Sequence, residues 1–170
     1  MSGHRDPRRG DAGQGLVEFA LVIPFFLVLV FALVDFGRVI WANDDLANAA
    51  REAARYASVH GGSEVTTCPT GPNLGTTPEA GCPTWTPDSK EPTRIQARGF
   101  VIAGGADVAV TVCYFTTTPC SGNTDQAGAT NDRGSFVTVR ITSTVDLVAG
   151  ALVGFSDFGV SAETTLLVNN

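Results

Sequence analysis

Glu18 is the residue whose position most clearly calls for a chemical explanation. It lies near the start of an apolar run from Leu16 to Val34, in which it is the only ionisable residue. A carboxylate at the edge of a bilayer is costly unless another group pairs with it. The position therefore favours an ion pair or hydrogen bond made by Glu18. The alternative is a carboxylate that is merely solvated at the level of the lipid headgroups.

The cysteines are the second group with evident chemistry, and there are four of them: Cys68, Cys82, Cys113 and Cys120. Four cysteines allow three pairings, and sequence alone does not choose between them. Pairing of near neighbours is the simplest prediction, with Cys68–Cys82 around a loop rich in glycine and proline and Cys113–Cys120 across a hairpin end. Disulfides would place this part of the chain in an oxidising compartment. Four buried free thiols are the alternative.

Little in the sequence points to catalysis or to a cofactor. The two histidines are His4 and His60, and no Cys-x-x-Cys occurs, so a zinc site lacks ligands at the usual spacing. His60 has no nucleophile motif nearby. The net charge is −6, and no cluster of lysine and arginine would attract nucleic acid. We therefore expect a protein without enzymatic activity, cofactor, metal site or nucleic-acid partner.

The apolar run is long enough to cross a membrane. Its 19 residues would span about 28 Å as a helix, close to the thickness of a bilayer core. It is longer than the apolar region of a secretory signal, so we expect it to be retained. Pro24 removes a helix hydrogen bond and should bend or loosen the helix. Arginines precede the run and aspartates follow it, which predicts a cytoplasmic N-terminus: Arg5, Arg8 and Arg9 before, Asp35, Asp44 and Asp45 after.

The second half of this helix is predicted to pack on a small sheet. Beyond Asp35 the apolar residues recur at steps of three and four, which predicts one continuous helix from about Leu16 to Val59. The stripe consists of Val39, Ala42, Leu46, Ala49, Ala50, Ala53 and Ala57. Glu52 and Arg55 are spaced to form an ion pair.

After residue 104 the period of the apolar residues changes to two, which predicts three half-buried antiparallel strands within 107–115, 135–145 and 160–168. A short helix is predicted over 93–103, and a polar hairpin excursion over 116–134. The apolar stretch "DLVAGALVGF" is expected either beneath the sheet or at the membrane surface. The fold class is α+β: a long N-terminal helix, transmembrane in its first half and amphipathic in its second, packed on a small antiparallel sheet with disulfides.

The segment around Glu18 resembles precursors of type IV pilin-like proteins. Their pattern is a short basic leader, a glycine before the cleavage point, a glutamate five residues further on and a long apolar helix, here "RRGDAG" followed by "QGLVEFALV". Glutamate followed by an aromatic residue, here Phe19, is similar to the Tad (Flp) branch. With "VEFALVIPFFLVLVFALVDFGR" and "NAAREAARYA", residues 8–59 resemble TadE-like and TadG-like proteins, minor pilin or pseudopilin components of Tad pilus assembly.

The resemblance implies a processing site between Gly13 and Gln14, cut by an aspartyl prepilin peptidase in the membrane. A glycine there lets the protease approach closely, and Gln14 would become the new N-terminus, which in this class is often methylated. Cleavage after Gly15 is the alternative, but Glu18 would then be residue three of the mature chain instead of residue five, so Gly13 is preferred. Glu18 and Phe19 would be assembly residues, with the carboxylate paired to the terminal amine of a neighbouring subunit or to its own.

The resemblance and the charge pattern together predict a cytoplasmic leader over 1–13, a transmembrane helix over 14–35 and an extracytoplasmic, pilin-like head over 36–170. The implied partners are the prepilin peptidase, other pilin or pseudopilin subunits, the assembly platform of the inner membrane, and the membrane itself. Both incorporation into an extracellular pilus and retention as an assembly factor in the inner membrane fit the sequence. The alternative function is a single-pass anchor carrying a ligand- or surface-binding domain.

Overall fold

The structure is a computed structural model, and it describes residues 8–60, 68, 70–72, 90–101, 108–120, 122–150, 154 and 157–169. Predictions that concern Cys82 and the leader residues before Arg8 lie outside these ranges.

A single helix, α1, runs from Arg8 to Val59 over 52 residues. The continuous helix expected from Leu16 to Val59 is confirmed, but it begins eight residues earlier. Proline is favoured at helix starts, and Pro7 immediately precedes the first helical residue in the sequence. Pro24 lies inside α1, and helical backbone continues on both sides of it. The helix therefore passes without interruption through the point where cleavage after Gly13 is predicted.

The second half of α1 buries the predicted apolar stripe. Leu46 is fully buried, and such a side chain contributes about 1.5–3 kcal/mol by leaving water. Six buried alanines accompany it, one of which (Ala54) was not predicted: Ala42, Ala49, Ala50, Ala53, Ala54 and Ala57. Because these side chains are small, they allow the sheet to approach the helix backbone closely. The predicted Glu52–Arg55 ion pair forms on the opposite, solvated side at 3.0 Å.

The sheet has three antiparallel strands in the order β1-β2-β3. They are β1 (Ala109–Phe115), β2 (Phe136–Asp146) and β3 (Asp157–Leu167). The face toward α1 carries the predicted apolar residues, with Val110, Val112, Val137, Val139, Ile141, Val145 and Val160 all buried. On the wet face Arg140 of β2 donates to Glu163 of β3 at 2.7 Å. The predicted α+β class and strand alternation are confirmed.

A second helix, α2 (Glu91–Phe100), packs against α1 beside the sheet. It begins two residues before the predicted 93–103 helix because Pro92 suits the first turn. The hydroxyls of Thr93 on α2 and of Thr70 form a hydrogen bond at 2.7 Å. The side chains of Asn131 and Tyr114 donate hydrogen bonds to the Thr70 carbonyl. Burial raises the pKa of the Tyr114 hydroxyl well above its usual value. This buried polar cluster ties α2 and the sheet to the chain that follows α1.

The connection between β1 and β2 folds back along the outer edge of β1. Asn123 accepts from the amide of Val112 at 3.0 Å, and Asp125 accepts from the amide of Tyr114 at 2.7 Å. Gln126 accepts from the next edge amide, that of Thr116, at 2.8 Å. An open edge would expose these donors to pairing with another strand. The predicted polar excursion therefore closes one edge of the sheet with side-chain acceptors.

A disulfide joins Cys113 of β1 to Cys120, as predicted from their proximity in sequence. Cys68 is also disulfide-bonded. Its predicted partner Cys82 lies outside the described residues, so the Cys68–Cys82 pairing stays a prediction.

Removing the Cys113–Cys120 bridge should destabilise the head moderately. The bridge spans a sequence separation of 7 residues, and closing a loop of that size restricts the unfolded chain by about 2 kcal/mol. We expect the C113S/C120S double variant to lower the free energy of unfolding by that amount, measured by urea titration of the full chain in detergent with circular dichroism. The exposed Thr144→Ser variant on β2 is the control. Equal stability of the two variants would contradict this prediction.

Candidate assembly and anchoring site

In the part of the chain that the structure describes, no residue of α1 from Gly13 to Val34 is buried. The large side chains that are exposed run from Leu16 to Val34 on every side of the helix, among them Phe19, Phe25 and Leu33. The helix is long and apolar enough to cross a membrane. Such a surface is stable only in lipid or against other apolar helices. The first half of α1 is accordingly a candidate membrane span.

Glu18 lies exposed on the span, one helical turn after Gln14. The side-chain amide of Gln14 donates to Glu18 Oε1 at 3.4 Å, the i,i+4 spacing at which helical side chains meet. Phe19 is exposed next to it. A neutral amide only partly compensates a carboxylate in an apolar medium. Because Glu18 is exposed, its carboxylate is accessible from the side to a donor on another chain.

The two glycines that could precede the cleavage point occupy open positions. A Cβ added at Gly13 or at Gly15 would meet no atom within 4 Å. Neither glycine is thus required by packing against the residues that the structure describes. Both lower helix propensity by about 1 kcal/mol relative to alanine, so they weaken the helix around the predicted processing site.

Asp35 marks the other end of the span and was not singled out by its chemistry in the sequence. It is only 4 % exposed. Its carboxylate accepts the backbone amides of Val148 at 3.0 Å and of Ala149 at 2.6 Å, in the turn that follows β2. Charge-assisted bonds to backbone amides are among the stronger hydrogen bonds in proteins. Asp35 therefore fixes the base of the sheet to α1 where the apolar run ends.

Arg38, on the next turn of α1, also contacts the turn that follows β2. We call this contact region between α1 and the base of the sheet the junction. Arg38 lies 3.6 Å from Asp35 Oδ1 and donates to the carbonyl of Asp146 at 3.0 Å. Its side chain is about half exposed, so solvent screens the ion pair. The junction depends mainly on the two amides that Asp35 accepts.

The junction and the Gln14–Glu18 pair are separate sites. Glu18 and Asp35 are 17 residues apart on one helix, which corresponds to about 26 Å along its axis. The predicted assembly residues make no contact with those residues of the head that the structure describes. At the far end of the head, His60 stacks on Tyr56 with ring centroids 4.0 Å apart and lies 2.9 Å from the Tyr56 carbonyl. His60 therefore makes a packing contact with Tyr56 at the C-terminal end of α1.

These features define a class of protein with a candidate membrane span, an α+β head docked on the same helix, and one carboxylate near the start of the span. Residues 13–55 match the family model of TadE-like proteins. The resemblance to TadE-like proteins is thereby confirmed over this segment, which contains Gly13, Glu18 and Asp35. The match supports the interpretation of the chain as a component associated with the Tad pilus. The sheet lies beyond the matched segment. No curated protein and no solved structure matches the chain.

Proposed function

We propose that this chain is a structural, non-enzymatic subunit of a Tad-type pilus. It is processed by a prepilin peptidase after Gly13, and as a minor pilin or pseudopilin it primes or tips the filament. The observation that carries the proposal is the exposed Glu18, five residues after Gly13, on a helix that has no buried residue from Gly13 to Val34 among those the structure describes. The TadE-like match over the same residues supports it.

Assembly in this proposal occurs between helices in the membrane. The exposed apolar surface of the span packs on the helices of other subunits, and Glu18 receives the terminal amine of a neighbour or of its own chain. Desolvation of both charges offsets much of their attraction, so the pair contributes register more than affinity. The head stays attached to the span through Asp35 and is displayed on the extracytoplasmic side.

Processing requires the first turns of α1 to open, because α1 is continuous across the bond between Gly13 and Gln14. A peptidase needs access to that bond from the side, which intact helical hydrogen bonds oppose. Gly13 and Gly15 flank the bond closely, and each weakens the helix. In this proposal the glycine pair makes local opening easier, and Gly13 also lets the protease approach.

Substitution at the two glycines distinguishes the cleavage points. We expect Gly13→Val to abolish processing and Gly15→Val to leave the cleavage point unchanged, because only Gly13 precedes the scissile bond. Both positions are open, so neither valine disturbs the packing of this chain. Mass spectrometry of the protein from membranes that contain the peptidase measures the mature N-terminus.

An N-terminus at Gln14 is expected for the native chain. An N-terminus at Leu16, lost in the Gly15→Val variant instead, would move the cut by two residues. An uncleaved N-terminus in the presence of the peptidase would count heavily against the proposal. It would favour an ordinary anchor carrying a ligand- or surface-binding head.

A further inference from the structure

An open apolar groove of about 470 Å³ lies between α1 and the base of the sheet. The helix contributes Val28, Ala32, Asp35, Phe36 and Val39, and the head contributes Leu147, Ala149, Gly150 and Phe158. Val28 and Ala32 belong to the apolar run. The base of the head therefore reaches back along the helix to the level of the span.

We propose that this groove is seated in the outer leaflet of the membrane and is filled by lipid acyl chains, so that the head touches the bilayer with the turn after β2. Its occupant follows from continuity, since the groove wall is formed by the same helix surface that lipid must cover below it. The inference depends on the candidate membrane span and goes beyond pilus processing.

The polar groups at the groove are already paired. Asp35 is the only ionisable side chain among the described residues that line it, and its oxygens accept the amides of Val148 and Ala149. Backbone donors enter an apolar medium at acceptable cost only when they are satisfied within the protein. By accepting these two amides, Asp35 also lowers the free-energy cost of placing this turn against lipid.

Exposed apolar side chains lie at the groove. Phe36 on α1, together with Val148 and Phe158 on the head, are each about half exposed or more. Transfer of such side chains from water to hydrocarbon is favourable. A head standing free in water would leave all three solvated without benefit. A head resting on the bilayer buries them in the interface.

Quenching by brominated lipids tests the proposal on the full chain in single-copy nanodiscs. The two native tryptophans are replaced in a Trp41→Phe/Trp85→Phe background, and one tryptophan is introduced as Val148→Trp or Phe158→Trp. The matched control is Ile95→Trp, which lies about half exposed on α2. We expect bromine on the acyl chains to remove most of the fluorescence at 148 and 158 and almost none at 95.

A second measurement uses the native sequence and does not depend on these variants folding. Lipids with a photoactivatable group on the acyl chain should crosslink to the segment 147–150, and mass spectrometry maps the adduct. Fluorescence at 148 and 158 no more quenched than at 95, with no adduct on 147–150, would overturn the proposal. If tryptophan at 148 and 158 is shielded from bromine quenching in nanodiscs that hold two copies, the proposal is also overturned. A second chain would then occupy the groove in place of lipid.

Discussion

The substitution Glu18→Ala is expected to leave membrane insertion intact and to abolish incorporation of the protein into pili. The apolar run loses its only ionisable residue, so insertion becomes slightly more favourable. Incorporation fails because no acceptor remains for the terminal amine of a neighbouring subunit. Membrane fractionation measures the first outcome, and immunodetection of the protein in sheared pili measures the second.

The size of this effect follows from the surroundings of Glu18. Its recorded contact is the neutral amide of Gln14 at 3.4 Å, so the fold of this chain does not depend on it. Removing it therefore costs the head nothing. In a filament, the same substitution leaves a positive amine without a partner in an apolar medium, which is far more costly than losing a solvated pair. The change acts on assembly and not on folding.

Two further variants separate charge from shape at this position. Glu18→Gln keeps the size of the side chain and loses the charge, and it should fail like alanine. Val17→Ala, a neighbouring exposed position, should assemble normally. Normal pili containing the Glu18→Ala protein would refute an assembly role for the carboxylate and leave it as a group solvated at the headgroups.

The long helix and the sheet were predictable because their periodicities are local. The alanine stripe at steps of three and four predicted which face of α1 is buried, and alternation predicted β2 almost residue by residue. The boundaries were less predictable. α1 begins at Arg8 because nothing in its first turns breaks a helix strongly enough. β3 starts at Asp157, ahead of its alternating apolar residues, because pairing with Asp146 extends the ladder.

The long-range polar contacts could not be predicted in the same way. Asp35 stood out only as a flanking charge, and its partners Val148 and Ala149 are more than a hundred residues away in sequence. Asn123, Asp125 and Gln126 look like ordinary loop residues until β1 is known to be an edge strand. The signal that could have identified Asp35 is its place directly after the apolar run, where an unpaired carboxylate is costly.

Asp35→Ala is expected to loosen the head from α1. The amides of Val148 and Ala149 lose the carboxylate that accepts them at 3.0 and 2.6 Å, and a buried donor without an acceptor carries its full desolvation penalty. We expect the unfolding temperature of the full chain in detergent to fall by several degrees, with faster hydrogen exchange at these two amides. Asp35→Asn should have a smaller effect, because the amide oxygen still accepts one of the two bonds.

Asp44→Ala is the matched control, because Asp44 is an exposed carboxylate on the same helix, about two and a half turns further on. It should change neither the unfolding temperature nor the exchange at 148 and 149. Arg38→Ala should fall between the two, since Arg38 is half exposed and the amides still hold Asp35 without it. If Asp35→Ala were as stable as Asp44→Ala, the junction would depend on apolar packing of Leu147 and Ala149 against Val39. The carboxylate would then be dispensable for holding the head on the span.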